Sequence, residues 1–346
     1  MVSSKAADLR VAVIGMGRMG VRHVQAATNL GMTLCGVADT SSRALEEART
    51  SHGVDAAACF TDAYEMLRTV RPDALVIATT APSHAAFVLA AAKQEARYIL
   101  CEKPMSVSLA EADAMIAACE KSGSALAVNH QMRFTPQYTR VRELIGSDEL
   151  GPLVSVLVAG SNFGLAMNAS HYFEMFRYVC GSAVRGVQAW FEKGQLANPR
   201  GPSFEDRSGR LLAWSEAVPT MFIDFSSAAG YGLQVVYICR QGQIVVDELA
   251  GHMRVTARKG EYRDLPTTRY GMPADVRLVT IEPTDTVVPT MGVWSAMLDG
   301  RSYPDGAIGA HALACLVAAH VSHEAGGREV KLDDPALPRE REFNWA

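Results

Sequence analysis

The sequence lacks any pair of cysteines at the spacing of a zinc-binding or redox motif. Its seven cysteines stand singly, mostly among apolar residues, and none follows another in a C-x-x-C pattern. Isolated cysteines of this kind are typical of small buried side chains in a reducing compartment. The sequence therefore predicts neither a metal site nor a disulfide framework.

The chain also has no excess of basic residues. Its 33 Lys and Arg are outnumbered by 37 Asp and Glu, and the formal net charge is −4. Polyanion binding is therefore disfavoured, and we expect no nucleic-acid partner. We find no apolar run of the ~20 residues that cross a bilayer and no signal-peptide core in the first ten residues, MVSSKAADLR. We expect a cytoplasmic protein with no membrane partner.

Length and patterning predict two domains of different architecture. A chain of 346 residues is too long for one ordinary core. Up to about residue 128, short apolar runs alternate with helix-length segments, which is typical of a doubly wound parallel sheet. Beyond that point, consecutive strand-like runs with short turns favour antiparallel pairing. The predicted division is therefore 1–128 and 129–346.

The individual elements follow from apolar periodicity and from capping residues. In the first part, strands are predicted after residue 9 and at 34–38, 74–78, 97–101 and 125–128, and helices at 18–30, 41–52, from 61, 83–94 and 108–121. In the second part, strands are predicted at 153–159, 184–191, 217–227, 231–239, 243–247, 253–257 and 277–281, helices at 134–145 and 307–324, and loops at 198–208 and 260–273. Ser108 and Glu111 have the spacing of a capping box.

A glycine motif follows the first apolar run and opens a helical pattern. Gly15 allows a tight turn, Gly17 lets a pyrophosphate approach the backbone, and Gly20 lets the helix pack against the sheet. Asp39 ends a second strand at the spacing that suits a carboxylate binding both ribose hydroxyls of an adenosine. The pattern predicts a dinucleotide site, although a glycine turn in another βα unit is an alternative.

Two residues bear on which dinucleotide binds. Asp39 followed by Thr40 favours NAD, because a carboxylate repels the additional phosphate of NADP. Arg43 lies within one helical turn and could pair with that phosphate, or it could lie on a solvated helix face. We therefore expect NAD, with NADP possible.

Ligands of doubly wound sheets lie at the carboxyl ends of the strands. The candidate cofactor contacts that follow from this rule are Gly15, Gly17, Arg18, Met19, Gly20, Asp39, Thr40, Arg43, Ala78, Thr79, Thr80, Pro82, Glu102 and Lys103.

Several motifs in order along the chain carry a family resemblance. They are GMGRMG at 15–20, VIATTAPSH at 76–84, EKP at 102–104, HQMRFTP at 130–136, HYFEMFRY at 171–178, YPDGAIGAHAL at 303–313 and GREVKL at 327–332. Together they resemble the glucose–fructose oxidoreductase, inositol dehydrogenase and rhizopine-catabolism (Gfo/Idh/MocA) family over nearly the whole chain. The resemblance implies a Rossmann domain followed by an α/β domain with an open, mainly antiparallel sheet. It also implies a homodimer or homotetramer and a small carbohydrate-type substrate.

The resemblance assigns chemistry to residues of the first domain. It implies that Lys103 reaches the nicotinamide and the substrate carbon, whereas the alternative is a surface lysine after a strand. A lysine beside a cationic cofactor can share in moving the hydroxyl proton during hydride transfer. His84 is implied to be a cofactor-side residue, and His23 is expected to serve only in packing.

In the second domain the candidate catalytic residue is His171. Beside Tyr172 and Phe173, a lone histidine would more often be a core residue, but the family pattern favours catalysis. That pattern has an aspartate four residues before the histidine, and here Met167 stands in its place. The usual acid–base pair is therefore broken, and Lys103 and His171 remain as the titratable candidates.

The remaining candidates are predicted substrate contacts. His130 and Arg133 follow the last Rossmann strand, and Arg133 could instead have a structural role. Asn168 could bind a hydroxyl or cap the following helix. Glu174 could orient His171 or bind a sugar hydroxyl, and the alternative is an exposed helix-surface carboxylate.

Three functions remain open. The first is an NAD(P)-dependent oxidoreductase that transfers hydride between the nicotinamide and a hydroxyl-bearing carbon of a sugar, cyclitol or nucleotide sugar. The second is transient use of tightly bound NAD for epimerisation or glycoside cleavage. The third is a non-enzymatic cofactor-sensing protein, an alternative that the missing aspartate favours.

Overall fold

The computed structural model describes residues 5–161, 163–194, 198, 200–217, 219–266, 272–281 and 285–346. The chain divides into two compact units. The first comprises Met1–Phe134, Asp285–Leu313 and Pro338–Ala346, and the second Thr135–Thr284 and Ala314–Leu337. Two C-terminal stretches thus belong to the first unit, whereas the predicted division into 1–128 and 129–346 runs linearly along the chain.

The strands in chain order are β1 (Arg10–Ile14), β2 (Thr33–Ala38), β3 (Cys59–Phe60), β4 (Ala74–Ile77), β5 (Tyr98–Cys101), β6 (Ala125–Val128), β7 (Leu153–Gly160), β8 (Val184–Phe191), β9 (Gly209–Ser215), β10 (Thr220–Phe225), β11 (Leu233–Cys239), β12 (Gly242–Asp247), β13 (His252–Arg258), β14 (Ala274–Thr280) and β15 (Val330–Lys331). The α-helices are α1 (Arg18–Asn29), α2 (Ser42–His52), α3 (Ala63–Val70), α4 (His84–Lys93), α5 (Leu109–Ser122), α6 (Pro136–Leu144), α7 (Ser170–Cys180), α8 (Val287–Leu298) and α9 (Gly306–Glu324). Leu165–Ala169 forms a π-helical turn directly before α7.

The sheet of the first unit is parallel, with strand order β3-β2-β1-β4-β5-β6. Its central strands β1 and β4 are buried almost throughout, as expected for a sheet with helices on both faces. The chain adds strands outward from β1 to β3 and then from β4 to β6. The order therefore reverses between β1 and β4, where ligands of such sheets bind. The predicted Rossmann fold is confirmed.

Helix caps refine the predicted boundaries. Helix α3 is capped by Asp62, which accepts hydrogen bonds from the backbone N–H groups of Tyr64 (2.7 Å) and Glu65 (3.2 Å), so the prediction of a cap at Thr61 was one residue early. Ser108 accepts from the N–H of Glu111 (3.2 Å), but the Glu111 carboxylate accepts from Val107 rather than from Ser108. The capping box therefore differs from the predicted one, because its glutamate accepts from the residue before Ser108 and not from Ser108 itself.

The sheet of the second unit has nine strands in the order β14-β13-β12-β11-β7-β10-β9-β8-β15. Among its described strands, β10 and β7 pair in parallel and the other neighbours are antiparallel. This confirms a mainly antiparallel sheet. Strands β3, β9 and β15 and helix α8 were not predicted. Two of these strands have only two residues each, and α8 is buried on most sides, so no amphipathic pattern marks it.

Parts of three predicted elements lie outside the described residues. These parts are residue 218 of the predicted strand 217–227, residue 199 of the predicted loop 198–208, and residues 267–271 of the predicted loop 260–273.

One face of the second sheet carries exposed apolar side chains. Leu157 on β7 and Phe222 on β10 are register partners, so their side chains share a face, and they are 39% and 46% exposed. The same face continues across the sheet to the edge strand β14. The register pairs that connect it are Leu157 with Val236, Val236 with Val245, Val245 with Arg254, and Arg254 with Leu278. Leu278 there is 79% exposed. The sheet is therefore open on this side.

Helix α9 is an exception to the expectation that no apolar run in the sequence is long enough to cross a bilayer. Among the described helices it has the length and composition of a membrane span. However, 56% of its most apolar window is buried inside the fold, as in the core helices of many proteins. Such a helix is weak evidence for a membrane segment.

Candidate active site

Two glycines of the first loop are required by packing within the protein. Gly15 has φ +91°, and a Cβ there would lie 2.8 Å from the backbone carbonyl of Ala78. A Cβ on Gly20 would lie 1.8 Å from the carbonyl oxygen of Gly15. These positions let the chain turn sharply out of β1 and let α1 pack close to the loop.

No packing contact within the protein requires a glycine at position 17. A Cβ there would have no protein atom within 4 Å, and φ is −70°, which any residue adopts. Gly17 is exposed at the start of α1, where no side chain caps the first N–H groups, and it is followed by the exposed Arg18 and the half-buried Met19. Open space above a glycine backbone at a helix N-terminus fits a dinucleotide pyrophosphate. The residues present therefore fit NAD.

Asp39 braces this loop against the start of α2. One carboxylate oxygen accepts a hydrogen bond from the N–H of Met16 (2.7 Å) and the other from the N–H of Ser41 (2.8 Å). Each oxygen has a further lone pair, so both can still accept a hydroxyl of a ribose. The structure thus brings Asp39 to the glycine loop, as predicted from its spacing.

A cavity of about 490 Å³ lies between the beginnings of α1 and α2. Three arginines line it, Arg18 and Arg22 from α1 and Arg43 from α2, and none of them forms an ion pair within the described part of the chain. Ser41 and Gly17 also line the cavity, and Thr40 beside Ser41 is exposed. Arg43 is exposed to this cavity, which is where a phosphate beside the adenosine ribose would find a cation.

The loop after β4 is held by hydrogen bonds. Ala78, Thr79 and Thr80 are half-buried and Pro82 is exposed. His84 is fully buried, with Nδ1 3.0 Å from the carbonyl oxygen of Pro104 and Nε2 3.1 Å from that of Thr79. Burial lowers the pKa of His84, and its hydrogen bonds oppose this. Both ring nitrogens contact backbone oxygens, so His84 braces two loops, and its predicted place beside the cofactor stays a prediction.

Glu102 is the centre of a buried polar cluster. Its Oε1 lies 2.9 Å from Nε2 of His23 and accepts a hydrogen bond from Nδ2 of Asn129 (2.8 Å). Burial raises the pKa of Glu102, but the hydrogen bond and charge of His23, the charge of Lys103 and the Asn129 amide outweigh it, so the net pKa is lowered. The expectation that His23 serves only in packing was wrong. Glu102 therefore links α1, β5 and β6, and Lys103 is the next residue in the chain.

Lys103 is half-buried and follows β5 by two residues. The N–H of Glu102 donates to the carbonyl oxygen of Ile77 at the end of β4 (2.9 Å), and the Lys103–Pro104 peptide bond is cis. Lys103 therefore lies at the carboxyl edge of the first sheet, as predicted.

His130 and Arg133 follow β6 and are largely buried, at 2% and 5% exposure. The Arg133 guanidinium carbon lies 6.0 Å from the ring centroid of Phe134. A buried arginine on a neighbouring ring accords with the structural alternative for Arg133.

In the second unit, His171 is half-buried in the first turn of α7. Met167 and Asn168 lie in the preceding π-helical turn, so ordinary α-helical spacing does not relate Met167 to His171. The N-cap of α7 is Ala169, with no side-chain cap, so the capping alternative for Asn168 was wrong.

Glu174 is not the exposed carboxylate that was considered. It is 2% exposed, and Oε1 lies 3.8 Å from Nη2 of Arg177 on the same helix. The buried Glu174 carboxylate thus has an arginine neighbour on its own helix. Its predicted substrate role stays a prediction.

A tyrosine–carboxylate cluster in the second unit was missed by the sequence patterns. Glu248, in the turn after β12, accepts a hydrogen bond from the Tyr172 hydroxyl at Oε2 (2.8 Å) and from the Tyr138 hydroxyl at Oε1. Burial raises the pKa of Glu248, against the two hydrogen bonds. The three residues are separated by up to 110 positions, and no local motif marks them.

We expect Glu248→Gln to flatten the dependence of stability on pH. Because the folded state holds the Glu248 proton more tightly than the unfolded chain, the free energy of unfolding falls as pH rises through the interval from its ordinary pKa to the raised value. A neutral amide still accepts from the tyrosines and removes this contribution. Urea unfolding at a series of pH values between 4 and 8 measures it, and an unchanged slope in the variant would contradict the assignment.

Potential metal ligands do not cluster in the described residues, where no three His, Cys, Asp or Glu are grouped for a metal ion. The seven cysteines are unpaired, and four of them are buried.

Comparison with known proteins agrees with this geometry. Residues 9–130 match the model of a family described as an oxidoreductase family with an NAD-binding Rossmann fold. These residues are therefore similar to the NAD-binding domain of the Gfo/Idh/MocA oxidoreductase family. The glycine loop, Asp39 and Lys103 all lie within this Gfo/Idh/MocA segment.

Individual relatives extend the comparison. The chain is 30% identical over 200 residues to myo-inositol 2-dehydrogenase of Thermotoga maritima, covering 52% of this chain and 58% of that protein. It is 34% identical over 141 residues to D-apiose dehydrogenase of Paraburkholderia graminis, covering 40% and 37%. The matches thus span less than two thirds of either relative.

A structural neighbour covers nearly the whole chain. The crystal structure of an oxidoreductase from Agrobacterium radiobacter, in complex with NAD+, L-tartaric acid and magnesium, has a TM-score of 0.79 at 20% identity, and the match covers 94% of this chain and 98% of that one. At this identity the likeness shows a shared fold and nothing more.

Proposed function

We propose that the protein is an NAD-dependent dehydrogenase that oxidises a secondary hydroxyl of a cyclitol or sugar. The observation that carries the proposal is the open, exposed backbone of Gly17 at the uncapped start of α1, next to Asp39 and at the same sheet edge as Lys103. Relatives named as myo-inositol and D-apiose dehydrogenases support the substrate class.

Lys103 and His171 are proposed to manage the hydroxyl proton. NAD+ supplies the hydride acceptor when bound. The Lys103 ammonium group donates a hydrogen bond to the reacting oxygen, which stabilises negative charge as the proton leaves. His171 accepts that proton at a ring nitrogen and passes it to solvent. Glu102 is proposed to keep the Lys103 loop in place through His23 and Asn129.

The test is absorbance of reduced nicotinamide at 340 nm with a panel of cyclitols, aldoses and nucleotide sugars. The proposal expects NADH formation with at least one cyclitol or free sugar. A preference for a nucleotide sugar over cyclitols and free sugars would make nucleotide sugars the substrate class instead. Sugar conversion without added nicotinamide would replace the proposal by transient cofactor use, and NAD binding without turnover of any compound would replace it by a sensor.

Gly17→Ala separates ligand binding from folding. A methyl group there meets no protein atom and the backbone conformation is unstrained, so we expect stability within about 1 kcal/mol of the parent. It would obstruct the pyrophosphate, so we expect NADH affinity to fall at least tenfold. Fluorescence titration with NADH and thermal unfolding measure the two effects. Gly20→Ala is the contrasting variant, since its methyl group overlaps the Gly15 carbonyl and should destabilise the fold.

The arginine-lined cavity supports NADP as a second cofactor. Arg18, Arg22 and Arg43 present positive charge beside Ser41, and together they outnumber Glu47, the acidic residue that lines the same cavity. The panel is therefore run with both NAD+ and NADP+. NADP+ turnover that Arg43→Ala removes selectively would establish this role.

Self-association through the open sheet face is also proposed. Leu157, Phe222 and Leu278 give this face the exposed apolar character of an interface between subunits. Light scattering on the purified protein distinguishes a dimer or tetramer from a monomer. A cytoplasmic location accompanies the proposal.

A further inference from the structure

A buried carboxylate from a distant part of the chain organises the segment before His171. Asp206 is 5% exposed. Its Oδ1 accepts hydrogen bonds from the N–H groups of Ala166 (2.8 Å) and Arg207 (3.0 Å), and its Oδ2 accepts from that of Met167 (3.0 Å). Asp206 therefore acts as the N-terminal cap of the helical segment that continues into α7, although it lies about forty residues later in the chain.

The neighbouring backbone is shaped to this carboxylate. A Cβ on Gly164 would lie 1.8 Å from Oδ2 of Asp206, so only glycine leaves room for it. The N–H of Leu165 donates to the carbonyl oxygen of Arg207 (2.8 Å). Three consecutive N–H groups, of residues 165, 166 and 167, are thus bound by residues 206 and 207. This arrangement satisfies the N–H groups that open the π-helical turn.

The segment that carries Asp206 is itself fixed to the sheet. Arg207 donates to the carbonyl oxygen of Glu192 (2.9 Å), and Ser208 donates to the Glu192 carboxylate (2.9 Å). That carboxylate also accepts from the hydroxyls of Ser226 and Ser227 (2.6 Å each), and these hydrogen bonds lower the pKa of Glu192 to about 2. The end of β8, the end of β10 and Asp206 form one hydrogen-bonded support.

The hydrogen-bonded support affects His171 through the π-helical turn that precedes this residue. A π-helical turn adds one residue to the helical turn and rotates everything that follows it relative to an uninterrupted α-helix. His171 comes two residues after the turn, in the first turn of α7. The direction of its imidazole therefore depends on the turn being kept.

We propose that Asp206 is a positioning residue that fixes the direction of His171 by holding the π-helical turn at Leu165–Ala169. The proposal rests on the proposed role of His171. The role of the Asp206 carboxylate in this proposal is to accept the three backbone N–H groups. Its negative charge at the start of the helical segment adds a favourable interaction with the helix dipole.

The test compares Asp206→Ala, Asp206→Asn and Gly164→Ala on a substrate found by the nicotinamide assay. We expect kcat to fall about 10²-fold in Asp206→Ala, as for a displaced catalytic group, with KM and the affinity for NADH within about twofold of the parent. Asp206→Asn keeps an accepting oxygen and should recover part of kcat. Gly164→Ala displaces the carboxylate without removing it and should match Asp206→Ala. Glu205→Gln changes the adjacent exposed carboxylate and should leave kcat unchanged.

A double-mutant cycle with His171→Ala separates positioning from general damage. If Asp206 acts through His171, Asp206→Ala should lower turnover less than twofold further in the His171→Ala background. Full additivity, or an unchanged kcat in both Asp206→Ala and Gly164→Ala, would overturn the proposal. Should Asp206→Ala fail to fold, the cycle is run with Asp206→Asn. An unchanged kcat in His171→Ala alone would instead overturn the proposed role of His171.

Discussion

Lys103→Ala is expected to lower kcat by about 10²–10³-fold while NADH still binds. The variant removes the group proposed to stabilise charge on the reacting oxygen, and such a donor at the reacting atom contributes about 10²–10³-fold or more. The glycine loop and Asp39, which are proposed to hold the adenosine diphosphate part, remain intact. Steady-state kinetics gives kcat, and NADH fluorescence titration gives the affinity.

Two controls make the Lys103 result specific. Lys93→Ala removes an exposed lysine at the end of α4, and its kcat should equal that of the parent. Lys103→Arg keeps the positive charge but cannot deprotonate and presents a larger planar group, so we expect only partial recovery. Retention of full turnover by Lys103→Ala on a confirmed substrate would remove Lys103 from the mechanism.

Glu102→Ala is expected to lower the free energy of unfolding by about 2–6 kcal/mol, because each of two buried hydrogen-bond partners left unpaired costs about 1–3 kcal/mol. The substitution leaves His23, which is fully buried, and the Asn129 amide without their shared acceptor. Because the cluster joins α1, β5 and β6, the loss should also loosen the Lys103 loop and lower kcat. Urea unfolding and kinetics on the folded fraction measure the two effects.

The pH dependence gives Glu102 a distinctive signature. Because its pKa is lowered in the folded state, its contribution is complete above the ordinary pKa of a glutamate and is lost as pH falls toward the lowered value. Between pH 5 and pH 3 the parent should therefore lose more stability than Glu102→Gln. Glu120→Gln, an exposed carboxylate on α5, is the matched control. An equal acid dependence in Glu102→Gln and the parent would contradict the assigned cluster.

The sequence by itself determined most of the N-terminal parallel sheet. Apolar runs long enough for strands, capping residues such as Ser108 and the glycines of the first loop are local signals, because each depends on neighbours a few residues away. They predicted a parallel sheet, its strand ends and hence the edge with Asp39 and Lys103. The spacing between Gly20 and Asp39 was informative because the fold brings successive strand ends to one edge.

Only the tertiary structure decided the contacts between residues far apart in the chain. His23 was expected to pack, yet it bonds to Glu102, which is 79 residues away. The ring of His84 is held by backbone oxygens of Thr79 and Pro104, contacts that its sequence context did not predict. Asp206 caps a helical segment about forty residues before it. A buried polar group finds its partner wherever the chain brings one, and no spacing rule in the sequence records that choice.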